Sequence, residues 1–186
     1  MASAKEYTTD QIRNVAVLGH GGSGKTSLID ALCFVSGSSK RHGHVGDGTA
    51  LTMHTPEEQA HQISIQLTPA FAEHLDTKIN LLDTPGYLDF TGEALSAVRV
   101  ADAAIIVVGA TSGVEVGTER VWQYCEDRGI PRIFLVAGMD KEHASFEGVA
   151  PGAARKVAHG PPGGAAHLTG QGLELPVGHG HQRLRF

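Results

Sequence analysis

Gly19-His20-Gly21-Gly22-Ser23-Gly24-Lys25-Thr26 matches the pattern Gly-x-x-x-x-Gly-Lys-Ser/Thr at every fixed position. Immediately before it, Val15-Ala16-Val17-Leu18 is a continuous apolar run, the signature of a strand buried on both faces of a parallel sheet. After it, Leu28, Ile29, Leu32 and Val35 recur at helical spacing, so strand, loop and helix follow in the order a phosphate loop needs. The glycines let the backbone wrap a phosphate without Cβ clashes, and several N–H groups turn inward as an anion nest. A helix starting near Ser23 adds its positive N-terminal end. In this reading Gly19 to Ser27 cradle a nucleoside triphosphate. Lys25 reaches the β- and γ-phosphates, and the Thr26 hydroxyl takes a Mg²⁺ position. The sequence predicts a nucleotide site.

The rest of the composition is that of one ordinary globular domain. A chain of 186 residues is long enough for a sizeable core. The net charge of −5 gives no general basic surface, so composition offers no sign of DNA or other nucleic acid as a partner. No apolar run is long enough to cross a bilayer, and the first residues lack a signal-peptide pattern. Cys33 falls on the apolar stripe of the first helix and Cys125 within a later one. Both read as reduced core thiols, and the expected compartment is the cytoplasm.

Met1 to Gln11 form a polar lead-in, and Ser36-Gly37-Ser38-Ser39 ends the first helix. From about Lys40 to His61 the chain is polar, glycine-containing and without period. A gap of roughly 20 residues inside a compact domain indicates either a functional loop or a wrong assignment. His42, His44 and His54 lie here; without further ligands, solvated loop residues are a better reading than a metal site. Ile63-Ser64-Ile65-Gln66-Leu67 alternates as a half-buried strand, and Lys78-Ile79-Asn80-Leu81-Leu82 reads as its hairpin partner across His74 to Thr77.

At the end of that partner stands Asp83-Thr84-Pro85-Gly86. In a nucleotide-binding α/β sheet, chemistry gathers at the carboxyl ends of strands. An aspartate there can hold magnesium through its water shell, and Gly86 can turn its N–H toward a γ-phosphate. Taken alone the tetrapeptide would also suit a simple turn with proline second. Ala94, Leu95, Val98 and Ala101 then mark a helix, Ala103 to Val108 a buried strand, Val121, Trp122, Cys125 and Arg128 a further helix, and Ile133 to Val136 a fifth strand. This alternation predicts an α/β fold, three layers around a mainly parallel sheet of the P-loop NTPase type.

With these motifs in place, the chain resembles the translational GTPases. Gly19-His20 to Thr26, Asp83-Thr84-Pro85-Gly86-Tyr87-Leu88-Asp89-Phe90 and Ser112-Gly113-Val114-Glu115 are most similar to the elongation factor G family, in its EF-G-2-like branch. The resemblance runs from about Ile12 to Phe146. It implies a GTP-binding domain, here residues 12–146, that binds GTP and GDP with Mg²⁺. It also implies hydrolysis of GTP on the ribosome during translocation, with the ribosome docking through domains not visible in this sequence. The polar segment becomes the first switch loop, and the threonine that closes that loop in the family falls on Ser64, which keeps the hydroxyl. An ordinary serine on the wet face of a strand is the competing reading. The implied set is then Lys25, Gly86 and Tyr87 for catalysis, and Thr26, Ser64 and Asp83 for the metal. Gly19, His20, Gly21, Gly22, Ser23, Gly24, Lys25, Thr26, Ser27, Asp83, Gly86 and Asp140 would hold the nucleotide.

Three features depart from that family. Tyr87 stands where histidine usually positions the attacking water, and a phenol with a pKa of ~10 accepts no proton at neutral pH. Ala137-Gly138-Met139-Asp140 replaces Asn-Lys-x-Asp, leaving only Asp140 to read guanine. From Pro151 to Phe186 a third of the residues are Gly or Pro, with four histidines, one acidic residue and no helical or strand period. Residues 147–186 are therefore expected to be a disordered tail, the mark of a truncated or frameshifted gene. The sheet would then be incomplete at its C-terminal edge. The competing functions are a nucleotide-binding remnant without hydrolysis, an unstable fragment, or a P-loop ATPase.

Overall fold

A computed structural model describes residues 5–158, 172–177 and 180–185 of the chain. Its centre is β1 (Ile12–Gly19), whose Ala16, Val17 and Leu18 are fully buried, as the unbroken apolar run requires. β1 pairs in parallel with β3 (Thr77–Asp83) on one side and β4 (Ala103–Gly109) on the other, and β4 pairs in parallel with β5 (Arg132–Ala137). β2 (Thr68–His74) closes one edge antiparallel to β3 through Leu75 and Asp76. Those two loop residues hold φ of 45° and 60°, the left-handed pair that a two-residue hairpin of native twist needs.

α1 (Lys25–Val35) covers one face of the sheet. Leu28, Ile29, Ala31 and Cys33 pack there with Val17, Leu81, Val107 and Leu135. The other face carries α3 (Thr91–Val100), α4 (Val116–Asp127) and α5 (Phe146–Ala158), whose buried residues close over Leu18, Ile106 and Phe134. Within that layer Trp122 stacks on Phe134 at 5.0 Å, with the Arg132 guanidinium 3.9 Å above the indole. The result is the three-layer α/β arrangement that the sequence predicts. Every phosphate-site motif leaves the sheet at the carboxyl end of β1, β3, β4 or β5.

Two expectations need correction. Residues 63–67 are not a strand: β2 begins only at Thr68. The backbone N–H groups of Ile65 and Gln66 go to the Glu58 carboxylate, and that of Leu67 goes to Glu93, so side chains take the bonds a ladder would use. The second correction concerns the boundary at 146. α5 starts there and runs to Ala158, burying Val149 and Ala153, one turn apart, in the main core. Beyond it, β6 (Gly172–Val177) and β7 (Gly180–Arg185) pair antiparallel, and β7 meets β5 at Val136 and Arg185, giving the sheet order β2-β3-β1-β4-β5-β7-β6. The remaining part of the expected disordered tail, residues 159–171, 178–179 and 186, lies outside the described residues.

Candidate functional site

The loop between β1 and α1 is shaped by Gly22 and Gly24 at φ of 74° and 100°, conformations in which a Cβ is strained. It delivers Lys25 and Thr26 to the first turn of α1, both buried. The Lys25 ammonium donates to the His20 carbonyl at 2.8 Å. Burial pushes its pKa down to about 8, against the opposing pull of the Asp83 carboxylate. A lysine desolvated without a full ionic partner is poised to meet an anion. Ser23 Oγ is also buried in the loop with no partner. These groups, with the open nest above them, fit the phosphates of a nucleotide.

Across the cleft, the Asp83 carboxylate sits at the end of β3 and is almost wholly buried. Its Oδ2 accepts hydrogen bonds from Thr26 at 2.9 Å and from Thr52 at 2.5 Å, while Oδ1 has no partner. Burial raises its pKa, and those two hydroxyls and Lys25 oppose the rise. Ser64 Oγ lies 3.0 Å from Thr26 Oγ1. Thr26, Ser64 and Asp83, far apart in sequence, therefore converge as one hard oxygen cluster, and an orphaned carboxylate oxygen in such a cluster fits a divalent cation. The strand reading of Ser64 falls with the strand itself.

Gly86 follows closely on this cluster. A Cβ there would run into Lys25 Nζ and stand 2.6 Å from the Gly21 nitrogen, so only glycine allows the segment so near the loop. The Tyr87 ring lies against Gly21, where an added Cβ would be 2.9 Å from Cζ, and it lines the same cleft as Gly86, Lys25 and Ser64. His20 faces elsewhere. Its Nε2 is 3.6 Å from Glu115 on the approach to α4, and it offers the cleft its backbone only.

Two buried carboxylates pin the polar segment from 40 to 67. Asp30, on α1, accepts from the N–H groups of Gly43 at 2.6 Å and Leu51 at 2.7 Å. Glu58 lies in α2 (Pro56–His61) and accepts from His54, Thr55, Ile65 and Gln66. Desolvation alone would raise the Glu58 pKa, but these four backbone donors outweigh it and hold the carboxyl below its usual value. No motif marks Asp30 or Thr52. Glu58 does carry a signal: Thr55-Pro56-Glu57-Glu58 is a capping box with proline at the first helical position. Among the described residues, His42 and His44 join no group of three or more metal-binding side chains.

A second cleft adjoins the first through Gly22, Gly24 and Ser27. Its far wall is Ala110, Ser112, Gly138, Asp140 and Lys141. Asp140 thus faces the back of the phosphate loop, where the sequence expects the base. Gly138 holds φ of 75°, and a hydrogen bond from Lys141 N to Gly138 O closes a tight turn there.

A phosphate loop at a strand–helix junction, opposed by a carboxylate–hydroxyl cluster at the next parallel strand, defines a P-loop nucleoside triphosphatase domain. The family model described as the elongation factor Tu GTP binding domain matches residues 10–166, and the chain belongs to that family of GTPase domains. The match reaches past 146 and takes in all of α5. Among curated relatives, the mitochondrial ribosome-releasing factor 2 of Debaryomyces hansenii is 37% identical over 137 residues, 74% of this chain and 16% of that protein. Its counterpart in Lodderomyces elongisporus is 35% identical over 145 residues, 78% of this chain and 18% of that protein. The chain therefore spans less than a fifth of the relatives it matches. A solved protein from Thermus thermophilus superposes with a TM-score of 0.77 at 35% identity, covering 92% of this chain and 24% of its own. Elongation factor SelB of Methanococcus maripaludis, solved with the GTP analogue GppNHp, is 20% identical with a TM-score of 0.59, covering 83% of this chain and 27% of its own. At that identity it speaks for the fold alone.

Proposed function

We propose that this chain is the GTP-binding and GTP-hydrolysing domain of a ribosome-associated factor of the elongation factor G type. The observation that carries the reading is the meeting of Thr26, Ser64 and Asp83 beside a buried Lys25. Lys25 and the amides of residues 19–27 bind phosphates, and Thr26, Ser64 and Asp83 hold Mg²⁺, which would supply charge neutralisation at the phosphates when bound. The Gly86 N–H senses the γ-phosphate, and the Tyr87 hydroxyl orients water without taking its proton. Asp140 accepts from guanine N1–H and the exocyclic amine.

The names of the relatives favour ribosome release over translocation as the step served, and the ribosome as the partner. The cytoplasm is the compartment we assign, on two buried free thiols, Cys33 and Cys125; the mitochondrial names of the relatives weigh the other way. No helix among the described residues is long and apolar enough to cross a membrane. A second reading, nucleotide binding without hydrolysis, draws on Tyr87, whose ring packs on Gly21 in place of a proton-accepting imidazole. Single-turnover hydrolysis of GTP, with and without ribosomes and Mg²⁺, separates the two. Phosphate release that depends on Mg²⁺ and rises with ribosomes supports the first, and tight binding with no release supports the second.

A further inference from the structure

We infer that Glu93 is a positioning residue for the metal site: from the first turn of α3, its carboxylate keeps the segment that carries Ser64 within reach of Thr26 and Asp83. The inference rests on the Mg²⁺ reading above and goes beyond it, since Glu93 lines neither cleft. Glu93 Oε2 accepts the backbone N–H of Leu67 at 2.7 Å. The Leu67 side chain packs on the same core that Ala94, Ala97 and Val98 of α3 help to form. Three residues before Leu67 in the chain, Ser64 Oγ stands 3.0 Å from Thr26 Oγ1.

Residues 63–67 form neither helix nor strand, so no ladder fixes their path. Ile63 donates to the Glu58 carbonyl, and Ile65 and Gln66 donate to the Glu58 carboxylate, but Glu58 belongs to the same polar segment. Those bonds give the segment a shape and leave its place over the site open. Partners outside it set the place. Before α2 they are Asp30, which holds Gly43 and Leu51, and Asp83, which holds Thr52. Between α2 and the start of β2, among the described residues, they are Thr26 at Ser64 and Glu93 at Leu67. The β2 ladder takes over at Thr68, so Glu93 sets the direction in which the chain runs from that ladder toward the metal site. Ser64 and Leu67 are at most ~10 Å apart along the chain, so a fixed Leu67 leaves the Ser64 hydroxyl little room. The acceptor suits this duty. A carboxylate holds a backbone N–H more strongly than a neutral oxygen, and the first turn places it at the positive end of α3.

The test measures GTP affinity by calorimetry at saturating Mg²⁺ and in EDTA, and the ratio of the two is the gain from the metal. Glu93→Ala should lower that gain about 5- to 20-fold, as expected for stranding one N–H of a charge-assisted hydrogen bond. Affinity in EDTA should stay within about twofold of wild type, which also shows that the variant is folded. Where binding in EDTA is too weak to measure, affinities at saturating Mg²⁺ are compared directly, with circular dichroism as the check of fold. Glu93→Gln keeps an acceptor oxygen and should stay within about threefold of wild type. Ser64→Ala should lower the gain by itself, and adding Glu93→Ala to it should change the gain by less than about twofold, because Glu93 acts through that hydroxyl. If Glu93→Ala does not fold, Glu93→Asp replaces it: the charge remains one methylene short of Leu67, and the gain should fall at least about threefold. An unchanged gain in Glu93→Ala overturns the inference. So does equal weakening with and without Mg²⁺, a Gln variant as weak as the Ala variant, or full additivity with Ser64→Ala. A wild type that needs Mg²⁺ while Ser64→Ala keeps the full gain overturns the role of Glu93 alone. If Mg²⁺ adds nothing to GTP binding in the wild type, the metal reading itself falls and takes this inference with it.

Discussion

Lys25 is buried with its ammonium on one carbonyl and its pKa lowered to about 8, so binding an anion relieves a desolvated charge. Lys25→Ala should abolish measurable GTP binding at millimolar nucleotide in calorimetry; affinity within about threefold of wild type would remove the lysine from the phosphate site. Tyr87→His tests the water-positioning role. It should raise ribosome-stimulated single-turnover hydrolysis at least about tenfold and leave GTP affinity unchanged, because an imidazole acts on the barrier more than on the bound ground state. An unchanged rate would leave Tyr87 as a ring packed on Gly21 and nothing more. Lys25, Thr26, Asp83 and Gly86 are readable from sequence because loop and turn geometry allow few substitutes at those positions. Thr52 is not. It reaches Asp83 through the path of the chain in space, which no local pattern records.

At the scale of elements, the segment from 40 to 67 shows why periodicity fails. Its order comes from two buried carboxylates that take backbone donors from distant positions, so neither helical nor strand spacing is imposed on it. The alternation of residues 63–67 reads as a strand because alternation is all a sequence can show, while Glu58 and Glu93 decide where those N–H groups go. This makes the loop acid-sensitive. Glu58 titrates below the usual glutamate value of 4.5 in the fold, so the ionised form favours the folded loop. Its contribution is complete above about that value and is lost as pH falls through the lower folded-state value. Proteolysis between residues 40 and 67 by an acid-active protease should therefore accelerate below pH ~4.5 ahead of global unfolding. Glu58→Gln should bring the same loosening to neutral pH, since an amide accepts more weakly than a carboxylate and adds a donor with no acceptor in place. Equal cleavage rates in the variant and wild type at neutral pH would mean that the loop is held elsewhere.

Across the whole molecule, the parallel strands and their covering helices follow from buried runs and helical spacing, while the region past 146 defies its composition. Glycine and proline content argues against order there, yet Val149 and Ala153 recur one turn apart and fall into the core formed with Val121, Trp122 and Phe134. Composition averages over a segment, whereas a helix needs only a few apolar residues in phase, and α5 runs through Pro151 although a proline inside a helix removes one of its hydrogen bonds. The consequence is that α5 should contribute to the stability of the entire domain. Val149 is 6% exposed, and its Cγ2 lies 4.0 Å from where a Cβ on Gly113 would stand, so it packs against the loop after β4 as well as the core. Val149→Ala removes its buried γ-methyl groups and should cost about 1–3 kcal/mol, seen as a lower urea midpoint with an unchanged slope. Bound nucleotide should add the same increment to wild type and variant, about 2.7 kcal/mol at a ligand concentration of about 100 Kd, because Val149 does not line either cleft. An unchanged urea midpoint in Val149→Ala would mean that residues 146–158 do not share the cooperative core. A smaller ligand increment in the variant would instead couple α5 to the base cleft through Gly113, and would move α5 from scaffold to site.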